Sequence, residues 1–210
     1  MRALFGVIRL IAAGVIIAAI VGQLITSLNY GQPDIPMFLV NFFSYFTILS
    51  NALAAIALIV GAWFGFRYKQ DPPWFNVAFA SIVTYMATTG VVYNLLLRSI
   101  SLDQGTTLGW SNEVLHLIAP IYLVLVWILA PGKSRLEWRA LWVIIAFPLV
   151  WSVYTMIRGA ITGWYPYPFL NPANLGGYGP VAVYIIAIAG FIGLMGVAVV
   201  WLSRTRIIRA

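Results

Sequence analysis

Two residues of this chain, a threonine and the single histidine, could together carry out a nucleophilic reaction. Thr47 lies in NFFSYFTILSN, residues 41–51, and His116 lies in SNEVLHLIAP, residues 111–120. A hydroxyl beside an imidazole is a minimal nucleophile and general base, which is the pair that acyl transfer requires. Each residue also has a structural explanation. The threonine could donate to the helix carbonyl of Phe43, and the histidine could form a hydrogen bond at the membrane interface.

Polar residues that could support such a reaction lie close by in the sequence. If residues 41–51 form a helix, four polar residues lie on one of its faces: Asn41, Ser44, Thr47 and Asn51. Lipid cannot solvate this face, so it must point towards other helices or water. Asn94 lies towards the end of the next apolar segment. We therefore regard Asn51, Asn94 and Ser44 as candidates for contacting the substrate or an oxyanion, beside a backbone amide.

Charged residues near the ends of the apolar segments are further candidates. Glu113 and His116 are three residues apart and stack on one helical face, so Glu113 could orient the imidazole. Arg158 could extend its guanidinium to the headgroups, or turn inward to pair with Glu113 or with a carboxylate of the substrate. The same two alternatives apply to Arg98.

The elements that must position these residues are membrane-spanning helices. Hydrophobic residues make up 62% of the 210-residue chain and charged residues 8%, and the mean hydropathy is +0.95. This composition excludes an ordinary soluble domain. The apolar segments have about the twenty residues that a helix needs to cross the hydrocarbon core, without the alternation typical of barrels. We predict one all-α domain over residues 1–210, a bundle of six spans at about 7–28, 38–64, 75–97, 113–130, 139–158 and 180–202.

The basic residues predict the orientation of this bundle, because loops rich in Lys and Arg stay in the cytoplasm. Ten basic residues fall on the side of the termini, and two, Arg98 and Arg158, fall on the other side. Both termini are therefore predicted to be cytoplasmic in a multi-pass protein of the cell membrane, with the site towards the outer leaflet. The net charge of +7 follows from this bias, so no nucleic-acid partner is expected.

Residue usage also limits the chemistry. The chain has no cysteine and one histidine, which excludes disulfides, thiolate chemistry and a multi-histidine metal site. We expect no metal and no cofactor.

The segment from Arg158 to Pro180 stands out among the connections. It contains Trp164, Tyr165 and Tyr167 among several aromatic residues, and its prolines prevent a continuous helix. It could be an aromatic belt at the headgroups, or a cap over an outward-facing cavity.

Helix rise predicts a difference in depth between the two reactive residues. From a span beginning near Phe38, Thr47 lies about 13 Å into the membrane, whereas His116 lies about 5 Å beyond Glu113. The mismatch of about 8 Å exceeds a hydrogen bond, although helix tilt and side-chain reach could close it.

Three blocks of the sequence carry a resemblance to a known family. They are FFSYFTILSN around Thr47, LHLIAP around His116 and RGAITGWYPYPF from Arg158. The chain resembles the androgen-induced and androgen-dependent six-span proteins, and most closely their bacterial relatives, the predicted six-transmembrane proline-rich membrane proteins. The animal members are threonine hydrolases of fatty acid esters of hydroxy fatty acids. The resemblance implies Thr47 as the nucleophile and His116 as its partner.

These observations lead to one expected function and two alternatives. We expect an intramembrane hydrolase of lipid esters, whose partners are membrane lipids and an amphiphilic ester; the oligomeric state is left open. A transporter of small molecules or lipids would use the polar face for binding, but the two halves of the chain show no repeat. A non-catalytic scaffold would use the same polar groups to join helices.

Overall fold

Six helical segments form the bundle, and each is long and apolar enough to cross a membrane. They comprise Arg2–Asn29, Phe46–Arg67, Pro73–Ile100, Gly109–Leu129, Ala140–Thr162 and Tyr178–Leu202. The computed structural model describes residues 1–102 and 106–204, and within these residues every regular element is helical. The chain is therefore a multi-pass membrane protein with the all-α, six-helix architecture that its composition predicts.

The helices follow one another with short interruptions. In chain order they are α1 (Arg2–Asn29), α2 (Ile35–Phe42), α3 (Phe46–Arg67), α4 (Pro73–Val92), α5 (Arg98–Leu102), α6 (Gly109–Glu113), α7 (Ala119–Leu129), α8 (Ala140–Thr162), α9 (Pro172–Leu175) and α10 (Tyr178–Leu202). A π-helical turn, Tyr93–Leu97, joins α4 to α5, and another, Val114–Ile118, joins α6 to α7. The six crossings place the described ends of the chain on one side, here called the terminal side.

The central helices of the bundle are α3 and α4, which are the most buried of the spans. The outer ones, α1, α8 and α10, expose most of their apolar side chains, for example Leu149 and Ile186. In a membrane these side chains face lipid, which is as apolar as they are, so no further protein needs to cover them.

The predicted second span, 38–64, is wrong as one continuous helix. The structure divides this region into α2 and α3, with turn residues 43–45 between them. The Ser44 hydroxyl donates to the Val40 carbonyl at 2.7 Å, and the Trp151 indole of α8 donates to the Ser44 carbonyl at 3.0 Å. Because no proline or glycine marks this corner, and its stabilising contact comes from a residue 107 positions away, an apolar sequence pattern cannot reveal it.

On the terminal side, an arginine of α1 joins two connections, the one between α3 and α4 and the one between α7 and α8. Arg2 pairs with Asp71 at 2.5 Å and also donates to the carbonyls of Tyr68 and Pro131. Arg9, about two turns further along α1, is 4% exposed and donates to the Gly61 carbonyl at 2.8 Å. These bonds fix the end of the bundle that lies away from the cavities described below.

Candidate active site

Thr47 lies in the first turn of α3, immediately after the corner at residues 43–45. The backbone N–H groups of a first turn have no acceptor within their own helix. That of Thr47 donates to the Tyr167 hydroxyl at 3.2 Å, and the Thr47 hydroxyl lies 3.3 Å from the same oxygen. Thr47 is 8% exposed. Its hydroxyl therefore contacts another side chain, rather than the Phe43 carbonyl that an unbroken helix would offer.

Tyr167 is the residue of this site that the sequence analysis did not identify. It lies in the connection between α8 and α10, where its ring packs edge-on against Tyr45 and next to Trp151. Burial raises the pKa of Tyr167 to about 12, so the phenol keeps its proton and remains a hydrogen-bond donor at any ordinary pH. The only available signal was the aromatic crowding around YPYPF, since nothing local links position 167 to position 47.

The connection that carries Tyr167 covers the cavities next to Thr47. Gly163 ends α8 with φ of 73°, a left-handed conformation that glycine adopts without strain. The chain then turns inward and buries Phe169 and Leu170 in the short 3-10 helix Pro168–Leu170. Trp164 and Pro166 line one cavity, and Phe169 and Leu170 line the other. This arrangement agrees with a cap, the second of the two interpretations of the segment.

His116 lies on the π-helical turn Val114–Ile118, half-buried against a second π-helical turn. Its ring stacks on Tyr93 at 3.7 Å between centroids, and its Nδ1 lies 3.0 Å from the Asn112 carbonyl oxygen. The Asn112 amide in turn donates to the Tyr93 hydroxyl at 2.5 Å. Single π-helical turns within α-helices are frequent at functional sites. Here they bring Tyr93 and His116 face to face.

The Asn112 carbonyl selects one tautomer of the imidazole. A carbonyl oxygen only accepts hydrogen bonds, so Nδ1 of His116 must carry the proton. In the neutral ring Nε2 then has a free lone pair. Neutral His116 is consequently oriented as a base through Nε2.

The π-helical turn and Pro120 together free two backbone carbonyls near His116. The N–H of Ala119 bonds to the Val114 carbonyl, and Pro120 has no N–H to offer to Leu115 or His116. Side chains from two other helices supply the donors. The Asn51 amide donates to the Leu115 carbonyl at 3.1 Å, and the Asn94 amide donates to the His116 carbonyl at 3.1 Å.

Both asparagines therefore use their N–H groups on carbonyls. Asn51, which is fully buried, also donates to the Thr47 carbonyl at 2.9 Å, and Asn94 also donates to the Gly90 carbonyl at 2.8 Å. Either side chain would have to break one of these bonds to reach an oxyanion. Their observed contacts hold α3 and the π-helical turn Tyr93–Leu97 against the turn that carries His116.

The contacts of Asn94 lead to a prediction on stability. We expect Asn94→Leu to lower the free energy of unfolding by about 1–2 kcal/mol, because the His116 carbonyl and the Arg98 guanidinium each lose a partner. Thermal unfolding in detergent measures this change. Asn174→Leu, at an exposed position between α8 and α10, is the matched control and should leave the melting temperature unchanged. Equal melting temperatures for the two variants would contradict the bridging role.

The charged candidates lie on either side of the cavities. Glu113 pairs with Arg98, so the partner of the His116 ring is the Asn112 carbonyl rather than the Glu113 carboxylate. Arg158 donates to Asn41 Oδ1 at 2.5 Å and lies 4.8 Å from the centroid of the Trp164 ring. Among the described residues Arg158 forms no ion pair. Arg98 thus forms the inward pair with Glu113, whereas Arg158 contacts Asn41 and Trp164 and does not pair with Glu113.

Two cavities meet at Thr47. One, of about 430 Å³, has many polar lining residues, including Gln23, Ser27, Asn41, Ser111, Asn112 and His116. The other, of about 250 Å³, is almost wholly apolar and lies among α4, α8, α10 and the cap, with Val92, Ile145, Leu149, Ile185 and Ile188 in its lining. We call them the polar cavity and the apolar cavity. Both are lined by Thr47, Tyr93, Leu97 and Tyr167.

The structure thus brings Thr47 and His116 to the wall of one cavity. Among the described contacts, no hydrogen bond joins Thr47 to His116. Both line the polar cavity, where a substrate or a water molecule could bridge the Thr47 hydroxyl and the His116 imidazole. The direction of the predicted difference in depth depended on the assumed boundaries, and the observed boundaries reverse it. In fact α3 begins at Phe46 and the fourth span begins at Gly109, so Thr47 is the residue near a helix start and His116 is the deeper one in its span. Ser44 lies at the corner outside the cavities and bonds to Tyr154 at 3.1 Å.

No protein family, curated protein or solved structure matches this sequence. Within the described residues, no three His, Asp or Glu side chains come close enough together to hold a metal ion. The molecule defined by the fold is a six-helix, multi-pass membrane protein with two adjoining cavities on the side opposite the termini. The particular chemistry must be argued from Thr47, Tyr167 and His116.

Proposed function

We propose that this protein is an intramembrane hydrolase of lipid esters, with Thr47 as the nucleophile and His116 as the general base. The observation that carries the proposal is that both residues, from separate helices, line one polar cavity. The Asn112 carbonyl holds the imidazole with Nε2 free, and the Thr47 hydroxyl lies in a first helical turn beside a protonated phenol. A nucleophile, a base and donors for a developing negative charge are the parts that acyl transfer needs.

The reaction would proceed in two halves. His116 Nε2 takes the proton of Thr47 while Thr47 Oγ1 attacks the ester carbonyl, and the leaving alkoxide then takes that proton from Nε2 as the ester C–O bond breaks. Water from the polar cavity next gives a proton to Nε2 and attacks the acyl carbon. The Thr47 oxygen leaves with the proton from His116, which regenerates the enzyme and releases a carboxylic acid.

The negative charge on the carbonyl oxygen would be stabilised by donors at the start of α3. The Tyr167 hydroxyl and the first-turn amides of α3 are the nearest candidates, because their hydrogens are not committed to helix carbonyls. A helix N-terminus also carries a partial positive charge, which favours an oxyanion. In this mechanism Asn51 and Asn94 position the turn that carries His116, and other donors stabilise the negative charge on the carbonyl oxygen.

The proposed substrate is an amphiphilic ester of the type that the family resemblance implies, a fatty acid ester of a hydroxy fatty acid. Its free carboxylate would bind Arg158, a cation without an ion-pair partner among the described residues. Arg158 contacts Asn41 and Trp164, which both line the polar cavity. The charged end would then lie at headgroup level, in the outer leaflet of the cell membrane if the basic residues orient the chain as expected.

The experiment that tests the function is covalent labelling of the nucleophile. We expect a lipophilic fluorophosphonate to form an adduct on Thr47 of the detergent-purified protein, located by peptide mass spectrometry, since Thr47 Oγ1 attacks phosphorus and expels fluoride. The adduct should be absent from Thr47→Ala and His116→Ala. A folded protein that forms no adduct would favour a transporter or a scaffold, whose polar residues only bind or join helices.

A further inference from the structure

We propose that the apolar cavity is the site of the ester's acyl chain, and that this chain enters it from the lipid between α8 and α10. The proposal rests on the function proposed above for its chemistry, but it concerns where the chain lies and can be tested without turnover. The division of the site into a polar and an apolar cavity is the observation from which it starts.

The position of His116 decides which part of the ester occupies each cavity. His116 lines the polar cavity and is not among the lining residues of the apolar one. The leaving alkoxide receives its proton from His116, and the hydrolytic water gives its proton to His116. Both must therefore lie in the polar cavity. The acyl group stays bound to Thr47 between the two halves of the reaction. Its chain therefore occupies the other cavity that Thr47 lines, the apolar one.

The lining residues favour the same orientation. The polar cavity is lined by amide and hydroxyl side chains such as those of Gln23, Gln32 and Asn41, which suit the carboxylate-bearing half of the ester better than an unsubstituted acyl chain. The apolar cavity instead offers Val92, Ile185 and Ile188, against which a chain loses no hydrogen bonds. The reverse arrangement would place the free carboxylate among apolar side chains, with no charged group in the described lining of the apolar cavity to pair with it, which is unfavourable.

The apolar cavity reaches the surface of the bundle that faces lipid. Leu149 of α8 lines it and is 64% exposed, and Ala189 of α10 lines it and is also exposed. A membrane-resident ester could therefore insert its chain sideways without passing through water. By size, a cavity of about 150 Å³ holds the six carbons of benzene, so this one of about 250 Å³ holds about ten carbons. The rest of a longer chain would remain in the lipid beyond Ala189.

The test uses the methyl ester of a photoreactive fatty acid that carries a diazirine midway along its acyl chain, with the Thr47→Ala protein in detergent; the probe has no free carboxylate that could bind Arg158. We expect the label on peptides of α8 and α10, at residues 145–152 and 185–192. Ala189→Trp places an indole in the cavity, so labelling there should fall about fivefold or more. Ala187→Trp is the matched control, because Ala187 is exposed on the same helix but does not line the cavity, and it should change labelling by less than about twofold.

The outcomes separate this inference from the proposed function. Labelling of α8 and α10 that depends on position 189 supports the chain site even if Thr47 never forms a fluorophosphonate adduct. Labelling of α1 or of residues 164–166 would place the chain in the polar cavity and overturn the inference, whether or not the protein hydrolyses esters. Labelling spread over the lipid-facing surface and equal in the two tryptophan variants would also overturn it.

Discussion

Thr47→Ala is expected to lower the hydrolysis rate of a lipid ester by about 1,000-fold or more, because it removes the atom that forms the acyl-enzyme. Thr47→Ser keeps a hydroxyl in the first turn of α3 and should retain measurable turnover and the fluorophosphonate adduct. The measurement is release of free fatty acid by the purified variants at saturating substrate.

Two further variants make the result specific to the nucleophile. Thr84→Ala removes another buried threonine hydroxyl, which donates to the Ala80 carbonyl and lines neither cavity, and should leave turnover within about threefold. Tyr167→Phe removes the hydroxyl beside Thr47 and should lower kcat about tenfold, the loss of one hydrogen bond worth roughly 1.4 kcal/mol. If Thr47→Ala were folded and as active as the wild type, Thr47 would not be the nucleophile.

His116→Ala is expected to lower kcat by about 100- to 10,000-fold, the usual contribution of a positioned general base. Since His116 is half-buried at the wall of the polar cavity, the variant leaves space there for a small molecule. Added imidazole should therefore restore part of the activity, which a loss of folding could not explain. Steady-state kinetics with and without imidazole measure both effects.

Glu113→Gln is the control for the orientation of the imidazole. The Asn112 carbonyl holds Nδ1, and Glu113 pairs with Arg98, so neutralising this carboxylate should change kcat by less than about fivefold. A loss as large as that of His116→Ala would show that Glu113, not the backbone, orients the ring. Activity that survives in His116→Ala without imidazole would remove the histidine from the mechanism.

The sequence was sufficient to predict the spans, because apolar length is a strong signal in a chain with few charges. It was not sufficient for the corner between α2 and α3. Ser44 is an ordinary polar residue in an apolar segment, and the group that holds its carbonyl, the Trp151 indole, comes from another helix. The two π-helical turns were missed for the same reason, since neither Tyr93 nor His116 departs from the helical pattern.

The sequence was sufficient to propose Thr47 and His116 as candidates, and the structure places both at the wall of the polar cavity, but the partners of these two residues could not be predicted. His116 stands out as the single histidine of the chain, whereas Thr47 is one of many hydroxyl residues and is marked by its place on the polar face of residues 41–51 and by the family resemblance. The partners of the pair are Tyr167 and the Asn112 carbonyl, of which one is distant in sequence and the other is a backbone atom. Composition and spacing describe side chains and their periodicity, so neither kind of contact leaves a trace in them.

Each proline inside a span is coupled to the distant side chain that donates to the carbonyl left without its helical N–H, so the effects of substituting the two residues depend on each other. Pro120 has no N–H to donate to the His116 carbonyl, and the Asn94 amide donates to that carbonyl instead. Likewise, Pro148 has no N–H for the Ile144 carbonyl, to which the Tyr85 hydroxyl donates at 2.8 Å. An ordinary residue at position 120 would supply its own N–H to the His116 carbonyl, and the Asn94 amide would no longer be needed there. The effects of changing both members of a pair should therefore be far from additive, and related sequences should exchange them together.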